Sequence, residues 1–258
     1  MIKPGLCSVS FRQKTPDEII DLTKKSGLTA IEWASDAHAH EGDVALAKEI
    51  RKKTEDAGLE VSSYGSYYAL GSKQDVVPFL QTAEALGAKE MRIWAGSAPS
   101  AYYLPDARAA LVREAKEAAR LAKEFGVSIS TECHAHTLTD FSDSLLKLLE
   151  EVDADNFKTY WQPLLHFLPE EHLPELSRIY ESGKLTNLHV YQFKLFEGER
   201  EQLLLSEGYK PWSEFFSFLS KDKEERYALL EFVREGKDES LLADAKTLIE
   251  LCEKTNNM

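Results

Sequence analysis

Five glycines, Gly27, Gly58, Gly87, Gly126 and Gly183, each close a helix-like stretch and stand just before a short strand-like run. A glycine in that place ends a helix in the left-handed conformation that a Cβ disfavours. It marks where one unit stops and the next strand begins. The strands read as Gly5 to Phe11, Leu28 to Ala34, Leu59 to Tyr64, Lys89 to Ala95, Val127 to His136, Phe157 to Gln162, Leu185 to Gln192 and Arg226 to Val233. The stretches between them read as helices: about Thr15 to Ser26, Asp43 to Ala57, Asp75 to Leu86, Pro105 to Phe125, Asp140 to Val152, Leu173 to Glu181, Trp212 to Leu219 and Leu241 to Lys254. The first of these has Thr15 as a cap, Pro16 in the first turn, and Asp17 and Glu18 at the positive end of the helix. Strand and helix thus alternate eight times, with no Pro- or Gly-rich linker between halves. That predicts a single (β/α)8 TIM barrel, one domain over residues 1–258. An open doubly wound sheet is the alternative. It is weakened because the first turn lacks a G-x-G-x-x-G or G-x-x-x-x-G-K-[ST] phosphate loop.

A chain of 258 residues can bury a full core, and 43% hydrophobic with 29% charged residues is a globular composition. The net charge of −13 argues against a surface that neutralises nucleic-acid phosphates or binds an anionic membrane. Cys7, Cys133 and Cys252 are odd in number and widely spaced, so neither a disulfide framework nor a Cys-rich zinc site follows. Alternation along its strand points Cys133 away from its neighbour Glu132. No basic segment leads into a longer apolar run after Met1, and no run of about 18 apolar residues exists. The expectation is a cytoplasmic protein with neither signal peptide nor membrane span.

The strand-like run VSISTECHAH, Val127 to His136, passes from apolar residues into carboxylate and imidazole. A barrel strand that does so places chemistry at its C-terminal end. Three later strands also carry one metal-capable side chain near their ends: Gln162, His189 and Glu231. Taken singly, a Glu or His at a strand end is usually solvated or paired, and Arg92 on the fourth strand is a rival partner for a carboxylate. Taken together, one such group on each of four consecutive strands points to one divalent ion held by Glu132, Gln162, His189 and Glu231. Two carboxylates, an amide oxygen and an imidazole suit Mn²⁺ best, with Zn²⁺, Co²⁺ or Mg²⁺ as alternatives. Proton removal α to a carbonyl needs a base near the carbon and a Lewis acid on the oxygen, and this set supplies both. A Glu on each face of the substrate gives epimerisation, whereas one shared base gives isomerisation.

Other groups belong to the same mouth. Glu32, Trp33 and His38 lie at or beyond the second strand, Tyr64, Tyr67 and Tyr68 follow the third, and Trp94 ends the fourth. Core packing is the commoner role for such aromatics, but at a barrel mouth they can also stack on a sugar ring. His134 shares the face of Glu132 by strand period, and Trp161 should pack outside against a helix. The long connection from Phe193 to Lys210 reads as a lid with Lys194 as its best substrate contact. Its Glu197, Glu199, Glu201 and Glu207 make it a poor phosphate cradle.

In order, one mark per strand, the chain resembles the xylose isomerase-like TIM-barrel superfamily, specifically its sugar phosphate isomerase/epimerase group. The marks are IEW at Ile31 to Trp33 with His38 beyond it, SSYGSYY at Ser62 to Tyr68, MRIWAG at Met91 to Gly96, STECHAHTLTD at Ser130 to Asp140, YWQP at Tyr160 to Pro163, NLHVY at Asn187 to Tyr191 and LLEFV at Leu229 to Val233. The group includes relatives of D-tagatose 3-epimerase and inosose dehydratase and, more distantly, endonuclease IV. The resemblance implies a metal held by Glu, Asp, His and Glu, which fall on Glu132, Gln162, His189 and Glu231. Gln162 departs from the usual Asp and removes one negative charge. The resemblance also implies that Glu132 and Glu231 exchange protons with the carbon beside a carbonyl, and that His166 contacts substrate. The leading expectation is a metal-dependent sugar isomerase or epimerase acting on a ketose, polyol derivative or sugar phosphate. A keto-polyol dehydratase with the same metal and base is the second, and a non-catalytic sugar-binding barrel the third. An endonuclease would need a basic DNA face, which this charge does not provide. The expected partner is a small sugar or polyol, not nucleic acid or membrane, with the chain a monomer or homo-oligomer.

Overall fold

The computed structural model describes residues 1–196, 199–221 and 224–258. Glu197, part of the acidic connection, lies outside the described residues. The elements run β1 (Ile2–Cys7), α1 (Pro16–Ser26), β2 (Ala30–Ala34), α2 (Val44–Asp56), β3 (Glu60–Ala69), α3 (Val77–Leu86), β4 (Glu90–Trp94), α4 (Pro105–Glu124) and β5 (Ser128–Glu132). They continue with α5 (Ser142–Val152), β6 (Phe157–Trp161), α6 (His172–Glu181), β7 (Leu185–Val190), β8 (Gln192–Phe196), β9 (Glu199–Leu203), α7 (Tyr209–Leu219), β10 (Arg226–Leu230) and α8 (Asp238–Asn256). Eight parallel strands close a barrel in the order β1-β10-β7-β6-β5-β4-β3-β2. The fold is a (β/α)8 TIM barrel, as the alternation of strand and helix required.

Local chemistry sets the boundaries. Thr15 and Glu18 form a reciprocal capping box at the start of α1: the Thr15 hydroxyl accepts from Glu18 N, and the Glu18 carboxylate accepts from Thr15 N at 2.7 Å. Gly27 ends the helix at φ 80°, where its N–H donates to Lys24 O. The main core lies between barrel and helices. Trp161, for example, packs against Trp212 and Phe215 of α7 with ring centroids 6.1 and 5.1 Å away. A second, small cluster of Cys7, Tyr160 and Leu229 fills the space inside the barrel. Alternation along the strands stacks residues of one face in columns: Glu90 under Arg92, Ser130 under Glu132, Asn187 under His189.

Three features depart from the sequence expectation. β1 is shorter, and Ser8–Phe11 forms a 3-10 turn instead of strand. β5 stops at Glu132, so His134 and His136 stand in the loop. The connection after β7 contains an antiparallel hairpin, β8 and β9, with Lys194 opposite Glu201. Among the described residues no helix is long and apolar enough to cross a membrane.

Candidate active site

Four consecutive barrel strands deliver the expected donors to one place. Glu132 ends β5, Gln162 directly follows β6, His189 is in β7 and Glu231 directly follows β10. His189 is fully buried at the centre. Its Nδ1 lies 3.2 Å from Gln162 Oε1, 3.3 Å from Glu231 Oε2 and 3.4 Å from Glu132 Oε1. Donors about 2.0–2.2 Å from one ion are themselves about 3 Å or a little more apart, so these separations are those of a coordination shell. The Gln162 amide is oriented by its other end: Nε2 donates to Glu132 Oε1 at 2.9 Å and to Cys133 O at 2.7 Å.

Two further charged groups complete the floor. Glu32 of β2 lies on the Nε2 side of His189, with Oε1 3.4 Å away. Arg92 of β4 joins two carboxylates. Its Nε donates to Glu32 Oε1 at 3.2 Å and its Nη1 to Glu132 Oε2 at 2.5 Å. Ser63 Oγ donates to Glu32 Oε2 at 2.8 Å. By contrast, no described residue donates an aligned hydrogen bond to the Glu231 carboxylate, whose buried Oε2 has only the His189 ring beside it. Three buried carboxylates face one guanidinium, which leaves a charge of about −2 when His189 is neutral. The orphaned oxygen and this residual charge both fit a divalent cation, and so does the mixed oxygen and imidazole donor set.

The electrostatics follow from burial and these neighbours. Burial would raise the Glu32 carboxyl, but Arg92 and His189 outweigh it and hold it down at about 2. Glu132 is likewise held well below the carboxylate range, with Arg92 the main opponent of burial. Burial disfavours a charged His189, yet Cys7 and the Glu231 and Glu32 carboxylates raise its pKa well above the ordinary value. Proton and cation therefore compete for the same nitrogen.

Above the cluster opens a cavity of about 410 Å³ whose walls include Ser10, Arg12, Tyr67, Trp94, His134 and Gln202. Among the described residues, Ser10 Oγ and Trp94 Nε1 are buried without a hydrogen-bond partner. His134 packs on Trp94 at 4.2 Å between ring centroids, and its Nδ1 meets Ala135 O at 2.5 Å. That bond leaves Nε2 as the nitrogen free to exchange a proton. Phe232, next to Glu231, adopts φ 52°, an unusual conformation for a bulky residue. Gln202 Nε2 donates to its carbonyl, and Tyr191, Phe193 and Arg200 pack on its ring. A larger open depression, about 740 Å³, lies between α2 and α3, but it is lined by Lys48, Arg51, Lys52 and Glu55 on the outer face, far from these donors.

Of the mouth residues expected to touch substrate, Trp94 and His134 line the cavity and four do not. His38 is buried, with Nδ1 3.0 Å from Ser8 Oγ and Nε2 3.1 Å from Lys14 O. Tyr64 is buried too and donates its hydroxyl to Ala39 O at 2.9 Å. His166 meets Asp140 O at 2.8 Å and packs with Phe141 and Phe167. Lys194 lies exposed on the hairpin, 2.8 Å from Glu201. Backbone carbonyls and a cross-strand partner hold these four polar groups away from the cavity. Glu32, expected only at the mouth, sits inside the cluster, and an acid within the apolar strand AIEWA is the signal for it. Arg92 is the carboxylate partner that its strand position offers, and it joins two of them, Glu32 and Glu132.

The chain belongs to the xylose isomerase-like TIM barrel family, whose sequence profile matches residues 20–252. A 3-dehydroshikimate dehydratase from Bacillus anthracis is 25% identical over 168 residues, 61% of this chain and 60% of that protein, so the match spans less than two thirds of the relative. A crystal structure of a probable 3-DHS dehydratase involved in petrobactin synthesis, also from Bacillus anthracis, superposes with a TM-score of 0.80 at 20% identity, covering 96% of this chain and 99% of that one. A D-psicose 3-epimerase with D-tagatose from Clostridium cellulolyticum H10 gives 0.69 at 13% identity, over 98% and 99% of the two chains. A xylose isomerase-like TIM barrel protein from Mycobacterium smegmatis in complex with magnesium gives 0.72 at 13%, over 98% and 97%. At these identities the structural likeness speaks for the fold.

Proposed function

We propose that this member of the xylose isomerase-like TIM barrel family is a divalent-metal-dependent enzyme that removes a proton α to a carbonyl, and that the step serves dehydration of a keto-polyol. Glu132, Gln162, His189 and Glu231 would hold the ion. When bound, the ion would polarise the substrate carbonyl and stabilise the charge that develops on its oxygen. The observation that carries the choice of dehydration is the inequality of the two mouth carboxylates. Both oxygens of Glu132 accept hydrogen bonds, from Arg92 and from Gln162, whereas Glu231 accepts none from the described residues. One carboxylate is thus a fixed anion and the other a free base. A two-base epimerisation needs a free acceptor on each face of the substrate; an elimination needs one base and one acid.

In this reading Glu231 takes the α proton. The electron pair left on carbon forms the new double bond as the C–O bond to the β hydroxyl breaks. His134, entering the step with a proton on each ring nitrogen, gives the departing hydroxyl the proton from Nε2 and is left neutral, so the products are an unsaturated ketone and water. Ser10 and Trp94 orient substrate oxygens, and Tyr67 and Trp94 wall the ring. The 25% identical relative named as a dehydratase supports the same choice. The second reading, a ketose 3-epimerase, is favoured by the likeness to the D-psicose enzyme and would require Arg92 to release Glu132 when substrate binds. The test is a panel of 3-dehydroshikimate and ketohexoses with Mn²⁺-loaded protein, read by mass spectrometry and chromatography. Loss of water from 3-dehydroshikimate or another keto-polyol supports the first reading. Conversion of a ketose to its epimer without loss of water replaces it by the second.

A further inference from the structure

We infer that Glu32 is a positioning residue of this centre: its carboxylate accepts the Nε2 proton of His189 and so keeps the Nδ1 lone pair turned to the cation. The inference rests on the metal reading above and names a residue that does not itself ligate.

The argument begins at the imidazole. Nδ1 faces the three donor oxygens of Glu132, Gln162 and Glu231, so a cation in their midst would meet that nitrogen. A neutral imidazole bound through Nδ1 must carry its proton on Nε2. Nε2 is buried and makes no aligned hydrogen bond to any described residue. An N–H left that way is costly, so an acceptor is required. Two groups are at hand. Cys7 and Glu32 each place a ligand atom within 4.8 Å of the His189 nitrogen and of one another. A thiol is a weak acceptor and a carboxylate a strong one. Glu32 Oε1 is 3.4 Å from Nε2, and a small tilt of the ring brings the pair into the range of about 2.7–3.2 Å.

The surroundings of Glu32 show a site built to hold a carboxylate there. Ser63 Oγ fixes Oε2 at 2.8 Å, and Arg92 Nε approaches Oε1 at 3.2 Å. Gly65 of β3 gives the pair its room: a Cβ at that position would lie 2.8 Å from Glu32 Oε1 and 3.0 Å from Arg92 Nη2. Glu32 is 1% exposed, so water does not compete for it. Arg92 then passes the arrangement on, because the same guanidinium holds Oε2 of Glu132 and leaves Oε1 for the cluster. A carboxylate behind a metal-bound histidine fixes its tautomer and ring orientation, and removing it typically weakens metal binding about 10–100-fold.

The experiment measures Mn²⁺ affinity by calorimetry for the parent, Glu32→Gln and Gly65→Ala. Gly65→Ala displaces Glu32 and keeps its charge, which separates position from electrostatics. Both variants should bind Mn²⁺ at least about tenfold more weakly. The unmodified protein, loaded with zinc and labelled with ¹⁵N-histidine, provides a readout that does not depend on a variant folding. NMR should find His189 with the ion on Nδ1 and a slowly exchanging, downfield proton on Nε2. A parent that binds no divalent ion overturns the metal reading itself. A parent that binds one while both variants match its affinity overturns the role of Glu32 alone. So does an ion found on Nε2 between Cys7 and Glu32.

Discussion

Arg92→Met removes the guanidinium that joins Glu32 and Glu132 on a floor that holds three carboxylates. The parent side chain is 2% exposed and lies 3.2 Å from Glu32 and 2.5 Å from Glu132. At an effective dielectric of about 20, each contact near 3 Å corresponds to about 5 kcal/mol of attraction, most of it offset by the cost of desolvating the charges. Breaking such a buried group by removing one partner costs about 3–5 kcal/mol, because the carboxylates stay behind uncompensated. Methionine fills similar volume, so packing adds little. A divalent ion among Glu132, Gln162, His189 and Glu231 would restore the missing positive charge. The variant should therefore bind the ion about tenfold more tightly than the parent, and saturating Mn²⁺ should stabilise it by about 1.4 kcal/mol more. Urea unfolding of both proteins, each with and without Mn²⁺, measures all four states. A loss below about 1 kcal/mol without the ion, or the same response to Mn²⁺ in both proteins, would mean that Arg92 and the ion do not share the charge of these carboxylates.

Two other outcomes follow from particular residues. Gln162→Asp adds a negative charge to the donor set and should tighten Mn²⁺ binding about tenfold by calorimetry, while the loss of two donated hydrogen bonds lowers the melting temperature; unchanged affinity would remove Gln162 from the coordination. Glu90, buried under Arg92, has its carboxyl pushed up from 4.5 to about 7 by burial, against Ser130 and Thr186. Its folded pKa exceeds the unfolded one, so the unfolded chain releases this proton first as pH rises. Stability should fall between about pH 4.5 and about pH 7 by about 3 kcal/mol, and Glu90→Gln should flatten that slope in urea midpoints taken across the window. A slope unchanged by the substitution would mean that Glu90 is ionised throughout.

Much of the barrel was legible because its signals are local. Thr15 with Glu18, and glycines such as Gly27, mark helix ends through their own backbone chemistry. Consecutive parallel strands are neighbours in a closed barrel, so one donor on each of four strand ends implied that the donors meet. The rest depended on partners far away in sequence. The acid in AIEWA is a local signal, but its partners Arg92 and His189 come from β4 and β7 across the barrel, and nothing in the strand itself names them. Lys194, expected on an open lid, is carried by a hairpin that sets it beside Glu201, a pairing across strands that the sequence does not show. His38 and Tyr64 looked like mouth residues, yet nearby carbonyls take up their polar atoms within the fold.

In the proposed reaction one free carboxylate, Glu231, removes a proton α to a carbonyl while Glu132 stays an anchored anion. Its most direct measurement is deuterium exchange at the α carbon of the accepted substrate in heavy water, followed by NMR with Mn²⁺-loaded parent, Glu132→Gln and Glu231→Gln. The parent should exchange and turn over. Glu231→Gln should lose both by at least about 10²-fold, since the amide cannot accept the proton. Glu132→Gln should bind Mn²⁺ more weakly yet still exchange when the ion is in excess. Exchange by Glu231→Gln at the parent rate, or its loss in Glu132→Gln alone with the ion bound, would show that Glu231 is not the base.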